Sequence, residues 1–150
     1  MAILQKIKRK LGSGVSELPG AAEPVLTSAG HCPICAGSAR FVAKDEWLRD
    51  HFRCTGCGSI PRQRALMLTV QNHYPNWRDL VIHESSPSAG GASQVLSEQC
   101  GHYIGSHYFA DKELGSMHGQ FRCENLEAMT FEDASIDLHI SQDVLEHVFD

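Results

Sequence analysis

Asp79-Leu80-Val81-Ile82-His83-Glu84-Ser85-Ser86-Pro87-Ser88-Ala89-Gly90-Gly91 is the stretch on which the reading of the fold turns. A short apolar strand stops at an acid and opens into small residues before a helix. Open α/β sheets make ligand sites in this way, because ligands settle beyond the carboxyl ends of the strands at the switch point. Small residues let a ligand approach the backbone, where bulky side chains would hold it off. The competing reading is that the glycines only make the turn and that Glu84 caps it.

Outward from this stretch the chain alternates strand and helix. Ser93 to Cys100 reads as a helix with Val95 and Leu96 inward, ended by Gly101. His102 to Ser106 is a second strand and Phe121 to Glu124 a third. Ile136, Leu138 and Ile140 alternate with Asp137, His139 and Ser141, a fourth strand leading into a helix that begins near Asp143 with Val144, Leu145 and Val148 at helical spacing. Upstream, Pro61 opens a helix that runs through Val70 to about Tyr74 and stops at Pro75. This order predicts an α/β fold with a mostly parallel sheet.

The most specific local signal lies further upstream. Cys32-Pro33-Ile34-Cys35 and Cys54-Thr55-Gly56-Cys57 each make a tight turn that points two thiolates at one ion, and two such turns close a tetrahedron with sulfur about 2.3 Å from zinc. Four protein ligands leave no open position, so the spacing predicts a structural rather than a catalytic zinc. Gly56 and Gly58 suit the second turn, while Arg40-Phe41-Val42-Ala43 and His51-Phe52-Arg53 read as short strands of a zinc ribbon. His31 and His51 are spare ligand candidates better explained as surface residues. Cys100 and Cys123 fall in the helix and strand of the second half, where small buried residues are the plain explanation.

In front of the ribbon, residues 1–10 are basic, with Ile3, Leu4, Ile7 and Leu11 spaced for one helical face. A membrane surface is one use for such a helix and a loosely docked terminus another. Residues 12–30, rich in Gly, Ser, Ala and Pro, read as a flexible linker. The expected organisation is therefore a basic N-terminus and linker over 1–30, a zinc ribbon over 31–60, and an α/β domain over 61–150.

Composition bounds the rest. A chain of 150 residues, 42% of them apolar, suits one domain, or a small one plus part of another. Six cysteines behind an N-terminus without a secretory pattern argue against a disulfide framework and point to the cytoplasm. No stretch approaches the roughly 20 apolar residues of a membrane span. The net charge of -5 is uneven: residues 1–65 carry ten Lys/Arg against five Asp/Glu, and residues 66–150 carry three against thirteen. The basic front half is thus the candidate face for nucleic acid, although metal-bound thiolates offset part of its charge.

At the C-terminal end, Leu126-Glu127-Ala128-Met129-Thr130-Phe131-Glu132-Asp133-Ala134-Ser135-Ile136-Asp137-Leu138, followed by Ser141-Gln142-Asp143-Val144-Leu145-Glu146-His147-Val148, resembles class I S-adenosylmethionine-dependent methyltransferases of the type 11 group. It looks like their Leu-Pro-Phe, Asp, Ser-Phe-Asp run and their Val-Leu-Glu-His helix, with Thr130 and Ile136 in the proline and phenylalanine positions. The likeness covers roughly residues 61–150. It implies a Rossmann-like sheet of which the chain carries the first four strands, behind the ribbon as an added module. Three further strands would follow in that family. Without them the fourth strand is an open edge, and the chain reads as a fragment unable to turn over substrate alone.

The resemblance also implies roles. Glu84 matches the acid near the methionine part of the cofactor, where a carboxylate suits an ammonium. Ser85, Ser86, Pro87 and Ser88 span the loop, Ser86 and Ser88 replacing both glycines of a Gly-Pro-Gly turn. Ser106 or His107 stands where the family has an acid that grips the ribose hydroxyls. Asn125 falls where an aspartate accepts from the adenine amino group, Leu126 offers its N–H and an apolar contact to the base, and Gln142 completes the cofactor set. No catalytic residue is implied, since displacement at a sulfonium methyl needs mainly alignment and exclusion of water. Glu146 and His147 are better read as packing residues than as a base.

Two functions follow. One is methyl transfer from S-adenosylmethionine to an unidentified small-molecule or macromolecular acceptor, with a structural zinc. The other is a non-catalytic binding module, in which the ribbon recognises nucleic acid or protein through Arg49, Arg53, Arg62 and Arg64 on a degenerate methyltransferase scaffold. A nicotinamide dehydrogenase is set aside, because the loop lacks the spaced three-glycine fingerprint.

Overall fold

The computed structural model describes residues 23–148, so the expected basic helix over 1–10 and the linker up to residue 22 lie outside the described residues. The front part is a three-stranded antiparallel sheet in the order β1-β2-β3, formed by β1 (Leu26–Cys32), β2 (Gly37–Ala43) and β3 (Arg53–Cys54), with a one-turn helix α1 (Leu48–His51) before the last strand. Residues 26–30, expected as linker, are instead strand. Composition misleads there because every side chain of β1 but Cys32 is exposed, and the strand is held by its backbone ladder to β2, from Leu26 opposite Ala43 to Cys32 opposite Gly37. His51-Phe52-Arg53 is likewise not one strand. Asp50 accepts from the Trp47 indole at 2.9 Å and His51 contacts the Asp45 carboxylate at 2.7 Å, closing a helical turn before the chain extends at Arg53.

The helix predicted from Pro61 is α2 (Pro61–His73), with Pro61 at its first turn and the Gln63 side chain accepting from the backbone N–H of Ile60 at 3.1 Å. It leads through a 3₁₀ turn at Trp77–Asp79 into β4 (Val81–Ser85), α3 (Ala92–Gln99) and β5 (His102–His107). A two-residue strand β6 (Met117–His118), not anticipated, pairs antiparallel with β7 (Phe121–Cys123). β8 (Leu138–Ser141) is the last strand, and the five run in the order β6-β7-β5-β4-β8 with β7, β5, β4 and β8 parallel. The protein is thus mixed α/β, with β8 at an edge of its sheet.

Alternation along β4 assigns its two faces. Ile82 joins Met67, Val70, Trp77, Ala92, Leu96 and Ile140 in the core beneath α2 and α3, and each large apolar side chain buried there contributes about 1.5–3 kcal/mol. His83 and Ser85 point to the other face. The helix expected from Asp143 does not form: Asp143 has φ 52° and only Leu145–His147 make a 3₁₀ turn. The reason lies in packing, since Leu145 is 67% exposed and a helix there would have no buried face to offset its ordering.

Candidate functional site

The four cysteines of the front sheet converge. Cys32 and Cys35 flank the turn from β1 to β2, Cys54 ends β3, and Cys57 follows in the next turn. Their sulfurs all lie within 4.8 Å of one another, with Cys32 to Cys57 at 3.8 Å and Cys35 to Cys54 at 3.6 Å. A tetrahedron with zinc–sulfur bonds of about 2.3 Å has edges of about 3.8 Å, close to these two separations, so the four sulfurs could hold a metal such as zinc. Gly56 is needed for the closeness of the turn, because a Cβ there would sit 3.2 Å from the Cys35 sulfur. Hydrogen bonding to Cys57 and then burial hold the Cys35 thiol above its ordinary range, so a metal taken up by the cluster would displace a proton from it. His31 and His51 are exposed and stand outside the cluster, as expected.

Arg64, expected among the arginines that meet a partner, is instead the joint between the ribbon and α2. Its guanidinium lies 4.5 Å from the Phe41 ring centroid, donates to the Phe52 carbonyl at 3.0 Å and to the Ser59 carbonyl, and offsets the negative charge of the thiolates. Burial lowers its pKa while Cys32, Cys54 and Cys57 oppose that shift. Arg62 pairs with Asp143 at 2.8 Å and Arg49 with the same carboxylate at 3.1 Å. All four arginines expected to meet nucleic acid therefore have protein partners, Arg53 donating to the Asp50 carbonyl at 3.1 Å.

The second site lies beyond the carboxyl ends of β4, β5 and β7. A cavity of about 140 Å³ is lined there by Ser85, Ser86, Ser106, His107, Asn125 and Leu126, six of the nine residues expected to meet a cofactor, together with Tyr108, Glu124, Val144, His147 and Val148. Ser86 adopts φ 53° and donates its N–H to the Ser106 carbonyl at 2.7 Å, so the loop keeps a glycine-like backbone although the residue is serine. The Ser85 hydroxyl is buried and has no hydrogen-bond partner among the described residues. An orphaned buried hydroxyl in a cavity wall suits a polar ligand group. Asn125 Oδ1 accepts from the Glu127 N–H at 3.1 Å in an Asx turn that fixes the corner before Leu126.

The other three expected residues stand elsewhere. Glu84, 1% exposed, points to the α3 side, where Ser93 donates to it at 2.7 Å, the Tyr103 hydroxyl donates at 2.8 Å, and Gln142 hydrogen-bonds it as well. Burial raises its pKa against those three bonds, and in turn burial and Glu84 raise that of Tyr103. Ser88 lines a larger groove of about 740 Å³ between α3 and β6, and it accepts from Gln63 at 3.3 Å. Glu84 and Gln142 thus brace the strand tip from behind. The signal for this was available in the sequence: period-two alternation puts Glu84 on the face of Ile82, opposite Ser85.

The same alternation places His83 and His139 side by side on the face that carries Ser85, a pairing that sequence reading missed because the two lie on strands 56 residues apart. His83 Nδ1 is 2.9 Å from His139 Nδ1, and its Nε2 is 2.7 Å from Ser106 Oγ. Phe131 packs on the His83 ring at 4.6 Å between centroids, and Glu124 receives the Arg122 guanidinium and the Thr130 hydroxyl and N–H. Among the described residues no helix is long and apolar enough to cross a membrane. Comparison of the chain with protein-family models, with curated proteins and with solved structures finds no match.

Proposed function

We propose that the protein binds S-adenosylmethionine at the ends of β4, β5 and β7 and is a methyltransferase whose front module is held by a structural zinc. The observation that carries the reading is the strand-end cavity, where six residues from the ends of three strands and the turns that follow them meet, one of them a serine whose buried hydroxyl has no partner among the described residues. The cavity is smaller than the ~300–1,000 Å³ of common ligand pockets, so it suits one portion of such a molecule, the adenosine end. The Asn125–Leu126 corner offers an amide and an apolar wall for a base, while Ser85, Ser106 and His107 offer hydrogen bonds for hydroxyls.

When bound, the cofactor supplies a methyl group already attached to a good leaving group. The chain's task is then to orient an acceptor, exclude water and take up a proton where the acceptor carries one. Calorimetric titration of the protein with S-adenosylmethionine tests the reading. Saturable one-to-one binding is expected, weakened about tenfold by Asn125→Ala, the loss of one good polar contact and its neighbour's order. No heat and no thermal protection at millimolar cofactor would remove the reading.

A further inference from the structure

Three side chains form an unbroken line along one face of the sheet, from the strand-end cavity across β5, β4 and β8. Ser106 lines the cavity, His83 stands behind it, and His139, exposed, opens onto a second cavity of about 480 Å³ walled by Phe131 and Ile136. The contacts are 2.7 Å from Ser106 Oγ to His83 Nε2 and 2.9 Å between the two Nδ1 atoms. His83 is 0% exposed and Ser106 2%, so each depends on these bonds for its polar atoms.

Two nitrogens at that separation share a single proton, which leaves two arrangements that satisfy every group. In one, Ser106 donates to His83 and His83 donates to His139, with the remaining proton on His139 Nε2. In the other, His139 donates to His83, His83 donates to Ser106, and the Ser106 hydroxyl turns toward the cavity. Passing from the first to the second moves one proton's worth of charge across three strands without moving a ring.

We propose that Ser106, His83 and His139 form a proton relay across one face of the sheet, from the strand-end cavity to the second cavity beside β8. The source of the proton rests on the methyltransferase reading: a hydroxyl or amine acceptor forms its bond to the methyl carbon, the carbon–sulfur bond breaks with its electron pair on sulfur, and the acceptor's proton must leave. That proton joins Ser106 Oγ as the Ser106 proton passes to His83 Nε2. The His83 Nδ1 proton passes to His139 Nδ1, and His139 releases its Nε2 proton to solvent. One proton enters, one leaves, and all three residues end neutral.

The surroundings suit neutral rings. Burial first, then His139, with Arg122 adding and Glu124 opposing, holds His83 down to about 4, and burial lowers His139 too. The acids Glu127, Glu132 and Asp133 line the outer cavity beside His139, where a departing proton is favoured. Phe131 against His83 keeps the ring in line.

Nitrogen NMR of the full chain with labelled histidine tests the relay at pH 7. The expected result is coupling between the two Nδ1 atoms across their shared proton. Ser106→Ala should change the tautomer ratio at His139, two hydrogen bonds away, roughly fivefold, the effect of one hydrogen bond, and Ser106→Thr should restore it. A ratio at His139 that ignores Ser106→Ala would overturn the proposal, as a packing role predicts that outcome. Should that variant not fold, His139→Gln read at His83 asks the same question from the other end, and an unchanged His83 tautomer overturns the relay. S-Adenosylhomocysteine should shift the His139 ratio in the unaltered protein and not in Ser106→Ala; binding without any shift also overturns it. Failure of this probe to bind would count against the cofactor site alone, leaving the serine comparison to decide the relay.

Discussion

The ribbon and the strand-end cavity are built on opposite principles. In the ribbon, four cysteines sit in two short turns, each pair set by its spacing, and one small antiparallel sheet brings the two turns together with the sulfurs within 4.8 Å of one another. In the cavity, residues from the ends of three strands meet only because the sheet order β7-β5-β4 brings those ends together. Local chemistry closes the first site and topology closes the second. The first should therefore fail when a ligand or the metal is removed, and the second when the sheet or its supports are disturbed.

Metal removal has the largest expected effect. Structural zinc in small modules is worth roughly 10–16 kcal/mol of apparent binding free energy, most of it folding free energy. One zinc per chain is expected by metal assay, lost in Cys32→Ser or Cys54→Ser, with collapse of amide protection in residues 26–57. Retention of full protection after metal removal would show that the ribbon is held by packing of Phe41 and Phe52 instead.

Arg64→Ala comes next. It deletes two hydrogen bonds to carbonyls and the stacking on Phe41, and removes a cation that interacts with Cys32, Cys54 and Cys57, so a loss of about 2–4 kcal/mol is expected in denaturant unfolding. Arg64→Lys should recover only part, because an ammonium cannot reach both carbonyls in one plane. An effect under about 0.5 kcal/mol would place Arg64 among the surface charges.

These two sites also differ in how far they were readable. The four-cysteine cluster, the helix from Pro61, the central strand and the parallel order followed from spacing and periodicity, which are local properties. The strand over residues 26–30 did not, because an exposed ladder leaves no apolar pattern. The helix expected near Asp143 is absent among the described residues, because helical spacing of Val144, Leu145 and Val148 states what a helix would bury but not whether anything is there to bury it. At the cavity, the resemblance supplied most of the wall residues. It did not supply the facing direction of Glu84, nor the contact of His83 with His139, since both depend on register between strands.

Acid separates the sheet from the ribbon. His83 is neutral in the fold with its pKa near 4, against about 6.5 when unfolded, so below pH 6.5 the unfolded chain binds the extra proton. Stability should fall as pH drops from 6.5 toward 4, by at most about 3 kcal/mol, and this contribution levels off below. Glu84 has the opposite sign: its raised carboxyl pKa means that stability recovers as pH falls through that value. The readout is therefore the difference between the unaltered protein and His83→Gln, which should flatten the slope between 6.5 and 4. An unchanged slope would assign the acid sensitivity to another group.

The smallest effect tests whether the two sites are independent at all. Gln63 reaches both: its oxygen accepts from Ile60, just after the zinc turn, and its nitrogen donates to Ser88 in the loop that follows β4. Ser88 in turn meets Ser93, which holds Glu84, so one line of hydrogen bonds runs from the ribbon's exit to the buried carboxylate. Gly91 is shaped around the same amide, since a Cβ there would lie 2.4 Å from Gln63, at a φ of +68°. Gln63→Ala should cost only about 1 kcal/mol, the worth of a cap and a surface hydrogen bond. Its diagnostic effect is on exchange: amides of Ser88 to Gly91 should lose protection although the cysteines keep their metal. If those amides stay protected, the loop is held by the sheet alone. The zinc would then steady only its own three strands.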